Sequence, residues 1–511
     1  MTSIQEERRE DVIQPVRPAL KWIRWLAWAV VVVAFLNTLY YVLLTSNPVI
    51  RSDAWYFLDV FLRKAADGSL GVADFFVKRN GADHAQPLLK LLLLFEWRYF
   101  DLDFVFEAAI GVLAAAACTV ILYRFIATTW RDGPVGIKPY LAWAAMSVLL
   151  LSLNAAGIWT WSLVAIGYVN VVLLLLFMGA VWRAQITGHY LPLVVATILL
   201  GVFADDSASI AAGTTILALL FMAFRDVSQR APVWKTILVI IVCMLIVRFG
   251  YSFAPVLGGA SDPPLTSQLS QLLERLHQDD WWKWFALPLS LPVVYEYSGG
   301  AFSSANVWPV FRAAIVVSLL IAHGAFWWRA WRGGYNLPMF AAVCVMLLSY
   351  AWWAGILVVR VSYFGTAYLY QDRYVELYQF NLVALLMMWA GARSLRRQSS
   401  TWPRKVMNWL PGVGCLALLT LQLPLSYTAW SQGHYLTHYY QQMATQIGQL
   451  SEDAAKVTNC LPELVVCGDE PGKRDELIQF LRKNQLNVFS PRVQAWHPYL
   501  PRLPAAVEKK P

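Results

Sequence analysis

The stretch RSDAWYFLDVFLRK, residues 51–64, follows directly on an apolar run and sets Asp53, Asp59, Arg63 and Lys64 at its edge. On a helix starting near Asp53, the side chains of Trp55, Leu58, Phe61 and Leu62 share one face, while Asp59, Arg63 and Lys64 turn elsewhere. That pattern predicts a helix lying flat on a membrane surface. Asp53 stands at its N-terminal edge, where a carboxylate serves either as a helix cap or as a group facing a cavity beneath. A second set lies in RNGADHAQPLLKLLLLFEWRYFDLDF, 79–104. There Pro87 opens an apolar helix that Lys90, Glu96 and Arg98 keep from being a comfortable span, so a surface or re-entrant helix is expected. Asp83 and His84 fall at its N-terminus, whose free N–H groups offer a berth for phosphate; a solvated loop histidine is the plainer reading.

Two further constellations carry charge near apolar runs. Asp205 and Asp206, in FADDSAS, are paired carboxylates that could hold a metal or a sugar, although Asp206 serves equally as the cap of a helix beginning at Ser207. In YQDRYVELYQF, Arg373 lies between Asp372 and Tyr374; its planar fork suits a phosphate oxyanion, or the side chain snorkels to the interface. Cys460 and Cys467 enclose CLPELVVC in a polar tail and are expected to pair in an oxidising compartment, with two free thiols as the alternative. No zinc-ligand spacing, Gly-rich phosphate loop or G-x-S-x-G elbow occurs, so nothing points to an ATP-driven machine, and no metal is expected.

The elements that must position these residues are membrane spans. Hydrophobic residues make up 58% of the 511 and charged residues only 14%, with a mean hydropathy of +0.48. Those values lie outside the soluble range. The 25 tryptophans and 23 tyrosines suit aromatic belts at two interfaces, and the net charge of +9 points to anionic lipid headgroups before nucleic acid.

Runs of about 20 apolar residues, enough to cross roughly 30 Å of hydrocarbon, fall near 22–44, 102–123, 139–153, 160–182, 190–204, 207–224, 234–251, 307–328, 337–359, 374–392 and 406–424. Eleven crossings are therefore expected, with 281–297 interfacial or re-entrant. Lys and Arg gather in alternate short loops, which places the N-terminus in the cytoplasm, two long outer loops at 45–101 and 252–306, and residues 425–511 outside. The expected fold is an all-α polytopic membrane domain, 1–424, with amphipathic surface helices in its first outer loop, plus a small α/β appendage, 425–511, in which a helix runs into an extended piece. No cleavable signal is expected.

An N-terminal span, an acid in a long first outer loop with surface helices, many further spans and a soluble outer C-terminal domain together resemble the GT-C superfamily of integral membrane glycosyltransferases. More narrowly, SDAWYFLDVFLRK, NGADHAQPLLKLL, YQDRYVELY and FLRKNQLNVFS are similar to bacterial polytopic proteins of that superfamily. The resemblance implies transfer of a monosaccharide from a polyprenyl-phosphate carrier to an envelope glycan, lipid or protein acceptor, on the outer side of the bacterial inner membrane. It implies that Asp53 is the general base, and that His84 and Arg373, with Lys90, Arg360 and Tyr374, hold the lipid phosphate. Many relatives carry two adjacent acids where RSDAW has one, so Asp83 or the Asp205–Asp206 pair is expected to supply the second. Two other classes compete: a lipid or ion transporter or flippase, against which no internal repeat is found, and a non-catalytic assembly protein of envelope polysaccharide synthesis, with 425–511 as its interaction module.

Overall fold

A computed structural model describes residues 18–79, 85–129, 136–204, 206–226, 230–257, 265–277, 281–295, 307–392, 402–453, 457 and 459–504. Helix dominates. Among the described residues, extended structure amounts to one parallel pairing of Lys78–Arg79 with Val256–Leu257. Among the described residues, eight helices are long and apolar enough to cross a membrane: Lys21–Thr45, Val105–Ala127, Gly167–Thr187, Ser207–Arg225, Arg230–Ser252, Pro309–Arg332, Leu337–Phe364 and Leu410–Glu452. Hydrocarbon offers peptide groups no water, so runs of this kind must close their hydrogen bonds within the helix.

Three of the eleven expected crossings are shorter than the sequence pattern implies. Lys138–Leu150 and Leu191–Phe203 have 13 residues each, about 20 Å of helix against about 30 Å of hydrocarbon. The segment expected at 374–392 is divided at Gln379 into Asp372–Tyr378 and Phe380–Gly391. Apolar periodicity marks such segments as buried but runs on through their turns, so it overstates helix length.

The spanning helices are apolar on every side, with Trp22, Trp25, Leu26 and Leu36 left on the outer surface. Inside, small residues such as Ala108, Ala115, Ala142, Ala145, Ala208 and Ala211 are buried and let the backbones approach. Gly111 is the extreme case, since a Cβ there would lie 2.5 Å from the Ala165 carbonyl oxygen. The segment 281–295, expected to be interfacial or re-entrant, contains the helix Lys283–Ser290 with Pro288 inside it. Proline has no N–H to offer the carbonyl four residues back; that carbonyl, Trp284 O, accepts instead from Trp353 Nε1 at 2.8 Å.

A second hydrophobic core joins the first loop to the C-terminal tail. Trp55, Leu58, Phe61 and Leu62, the apolar face expected on a helix starting near Asp53, are all buried, together with Leu89 and Leu93, against Tyr440, Met443, Ile447, Leu477, Leu481, Val488 and Phe489. The face is as the periodicity predicts, but what covers it is protein and not a membrane surface. The charged face pairs outward: Arg63 with Asp59 and Glu476, Lys473 with Asp59, and Lys64 with Asp74.

Between core and tail runs one helix, Trp402–Glu452, of 51 residues, about 76 Å long at 1.5 Å per residue. Its length exceeds any bilayer, so it carries the chain without a break across the boundary expected at 424. Beyond it the tail is helical: Pro471–Lys483, a 3₁₀ turn Asn487–Phe489 and Pro491–Trp496. The expected extended piece is that 3₁₀ turn, and no strand is present among the described tail residues.

Asn487 fastens tail to loop. Its backbone is left-handed, φ 53°, a conformation that asparagine tolerates better than most residues. Its side chain donates to Pro48 O (2.8 Å) and Leu102 O (2.6 Å) and accepts from Ile50 N (3.0 Å), while its own N–H donates to Asp101 O (2.7 Å).

Candidate functional site

The chain just past the first span is tied to the segment 154–161. Ser46 Oγ donates to Trp159 O (2.6 Å) and Asn47 N to Thr160 O (3.3 Å). That segment is tied in turn to 291–295, where Asn154 Nδ2 donates to Leu291 O (2.8 Å) and Asn154 Oδ1 accepts from Tyr295 N (2.7 Å). Tyr295 Oη donates to Tyr370 O (2.7 Å), which brings in the turn 366–370 and the helix Asp372–Tyr378. Asp372 packs onto Gly157 so closely that a Cβ at 157 would lie 1.6 Å from Asp372 Oδ2. Only glycine leaves room for this approach.

These ties gather cations around one indole. Arg51 Cζ lies 4.8 Å from the ring centre of Trp161, and Arg373 Cζ lies 5.9 Å from it. Arg373 also faces the rings of Tyr374 (5.2 Å) and Tyr368 (5.7 Å) and donates to Tyr368 Oη at 2.7 Å. Arg360 is close enough for its charge to act on the Tyr374 hydroxyl. Three donors here are shielded from solvent without a hydrogen-bond partner: Arg51 Nε, Arg373 Nε and Trp161 Nε1. Buried donors are almost always satisfied, so these three, gathered around one ring, are chemically suited to an acceptor-rich group. Guanidinium forks and indole N–H groups suit the oxygens of a phosphate.

The electrostatics agree. Burial pulls the Arg51 guanidinium below its ordinary value, opposed by Tyr440, Glu463, Tyr439 and Asp372. Neither carboxylate forms an ion pair with it among the described residues. Burial pushes the Asp372 carboxyl up, opposed by the Tyr295 hydroxyl and the Arg51 charge. A desolvated cation lacking a counter-ion at contact is a strong anion attractor.

Asp53, the expected base, is half-buried two residues after Arg51. Its carbonyl accepts from Tyr56 N (3.1 Å) and Phe57 N (3.3 Å), and its side chain makes no capping bond to the helix Ala54–Phe57. Asp83, His84 and Asp205 lie outside the described residues, and Asp206 is described only as the first residue of the helix Asp206–Arg225. Arg373 faces the Tyr374 ring, and the Arg360 charge acts on the Tyr374 hydroxyl.

Lys90 does not join them. It is 1% exposed, and its ammonium donates to the carbonyls of Asp74 (3.0 Å), Phe75 (3.1 Å) and Val77 (3.0 Å). Three N–H donors on three carbonyls leave nothing for a phosphate, which makes Lys90 a backbone clamp. Cys460 and Cys467 form the expected disulfide.

The residues that sequence reasoning passed over are Arg51, Trp161 and Asp372. Arg51 carried a signal, being a cation at the end of the first span where the charge pattern expects few. Among the described residues no three His, Cys, Asp or Glu side chains are placed to hold a metal ion. A crevice too narrow to admit water, beside Pro288, His323, Tyr350 and Asn381, shares no residue with the cluster. No known protein family, curated protein or solved structure matches this chain.

Proposed function

We propose that the protein is a membrane glycosyltransferase of the GT-C kind, taking a monosaccharide from a polyprenyl-phosphate carrier at the outer face of a bacterial inner membrane, with eleven crossings and a cytoplasmic N-terminus. The observation that carries this reading is the set of orphaned donors on Arg51, Arg373 and Trp161, with Arg51 just past the end of the first span and two residues before the half-buried Asp53. A lipid-borne phosphate can be met only at the edge of the bilayer, and Arg51 follows closely on the end of the first apolar helix, Lys21–Thr45.

In the proposed reaction the Asp53 carboxylate takes the proton of an acceptor hydroxyl as its oxygen bonds to the anomeric carbon. The bond from that carbon to the phosphate oxygen breaks, and the lipid phosphate leaves with the electron pair. Base assistance of this kind contributes about 10²–10⁴-fold. Arg51 and Arg373 stabilise the charge that grows on the leaving phosphate, and such stabilisation counts most in a desolvated site.

The test is glycosyl transfer by the purified protein supplied with a panel of polyprenyl-phosphate sugars. Asp53→Asn is expected to abolish transfer while binding of the lipid phosphate persists; transfer at the wild-type rate removes Asp53 from the role of base. One observation favours a second reading, as a transporter or flippase: Glu107 and Glu376, on helices of the membrane domain, are buried, and ionisable groups within such helices mark ion and proton paths. Phosphate binding without transfer from any donor favours that reading.

A further inference from the structure

The disulfide-closed loop 460–467 lies against the anion site. Glu463 O accepts from Ser52 N at 2.7 Å, and Ser52 is the residue between Arg51 and Asp53. Ser52 has a left-handed backbone, φ 48°, which serine seldom adopts without an external constraint. The Glu463 carboxylate accepts from Tyr439 Oη on the long helix and is one of the charges that act on Arg51. The start of the loop is held to the same helix by Gln446, whose Nε2 donates to Asn459 O (2.8 Å) and whose Oε1 accepts from Leu461 N (3.0 Å). Cys460 and Cys467 are both half-buried, so neither is fully closed off from solvent.

We propose that the Cys460–Cys467 loop is a redox-sensitive latch, and Glu463 a positioning residue, that hold Arg51 in the anion site. The latch rests on the reading of the Arg51–Trp161–Arg373 cluster as a phosphate site. Closing a short loop covalently restricts the conformations open to Glu463, and the Glu463–Ser52 hydrogen bond passes that restriction to the backbone beside Arg51. A dithiol opens the latch by delivering two electrons and two protons: the S–S bond breaks, Cys460 and Cys467 become thiols, and the dithiol closes to a cyclic disulfide.

The experiment uses the full chain in lipid nanodiscs, with farnesyl phosphate as probe, farnesol as its uncharged control and dithiothreitol as reductant. Reduction is expected to weaken farnesyl phosphate binding about tenfold, equivalent to about 1.4 kcal/mol, and to speed amide exchange at Ser52 while exchange in the spans stays slow. Tyr439→Phe, which frees the Glu463 carboxylate without touching the cysteines, is expected to give part of that loss, and Arg51→Gln should bind weakly with or without reductant. If wild type binds the phosphate in an Arg51-dependent way but equally well when reduced, the latch is refuted and the site stands. Equal binding of farnesyl phosphate and farnesol refutes the site, and the latch with it.

Discussion

Replacing Arg51 by glutamine tests the site at its least expected member. Arg51 and Arg373 both lie over Trp161, so their guanidinium carbons are at most about 11 Å apart, where like charges repel by about 1.5 kcal/mol at an effective dielectric constant near 20. Burial is the largest influence on Arg51 and disfavours its charge, while Asp372 and Glu463 favour it, so removing the charge takes away costs as well as gains. The balance changes when a phosphate arrives. At contact it gains from each guanidinium a charge-assisted hydrogen bond of about 1.5–3 kcal/mol, and it relieves the repulsion as well. Arg51→Gln is therefore expected to leave the melting temperature of the empty protein within about 2 °C, a stability change well under 1 kcal/mol. It should weaken farnesyl phosphate binding roughly 30-fold, about 2 kcal/mol. Thermal denaturation and titration on the same nanodisc preparation read both quantities. A lowered melting temperature with unchanged phosphate affinity would make Arg51 a structural residue and refute the reasoning.

Lys90→Met removes three hydrogen bonds to carbonyls and is expected to cost about 2–4 kcal/mol of stability, measured by denaturation, with phosphate affinity unchanged. Gly157→Ala sets a Cβ 1.6 Å from Asp372 Oδ2 and 2.7 Å from its Cγ; displacing Asp372 should cost about 1–3 kcal/mol and weaken phosphate binding severalfold or more by titration. Asn487→Ala unpins Pro48, Ile50 and Leu102 together, at about 3–5 kcal/mol, and proteolysis should then cut first in the 46–66 region. Glu96 on Pro87–Phe100 is held well above the ordinary carboxylate range by burial, then by the charges of Glu107 and Asp103, the latter 2.8 Å from His497 Nε2. A raised carboxyl stabilises the fold fully below its unfolded value of about 4.3 and loses that contribution as pH climbs through the folded value. Wild type should thus lose melting temperature from pH 5 to pH 9 by more than Glu96→Gln does; equal slopes would remove Glu96 as the cause.

Much of the membrane architecture could be read directly from the sequence, because long apolar runs have few alternatives in hydrocarbon. Trp55, Leu58, Phe61 and Leu62 were legible as one buried face for the same reason of periodicity. What covers that face was not legible, since an apolar stripe states only that water is excluded. A membrane surface and the helix bearing Tyr440, Met443 and Ile447 satisfy it equally, and only the folded chain chooses. The lengths of the short crossings were less legible: the apolar run through 139–153 continues past Leu150, where the helix ends.

The candidate site divides along the same line. Arg373 could be found because its neighbours Asp372 and Tyr374 form a polar knot at the end of an apolar run. Lys90 was misjudged by the same signal, because a cation in an apolar helix looks free until the carbonyls of Asp74, Phe75 and Val77 are seen around it. Arg51 and Trp161 stand in separate loops, and each alone is an ordinary interfacial residue. Their meaning arises from the chain of short-range ties through Ser46, Asn47, Asn154 and Tyr295 that places them over one another. A site assembled from single residues on segments distant in sequence leaves no spacing to detect. It shows instead as unsatisfied chemistry in the folded protein, here three shielded donors around one indole, and that deficit is what a bound phosphate would remove.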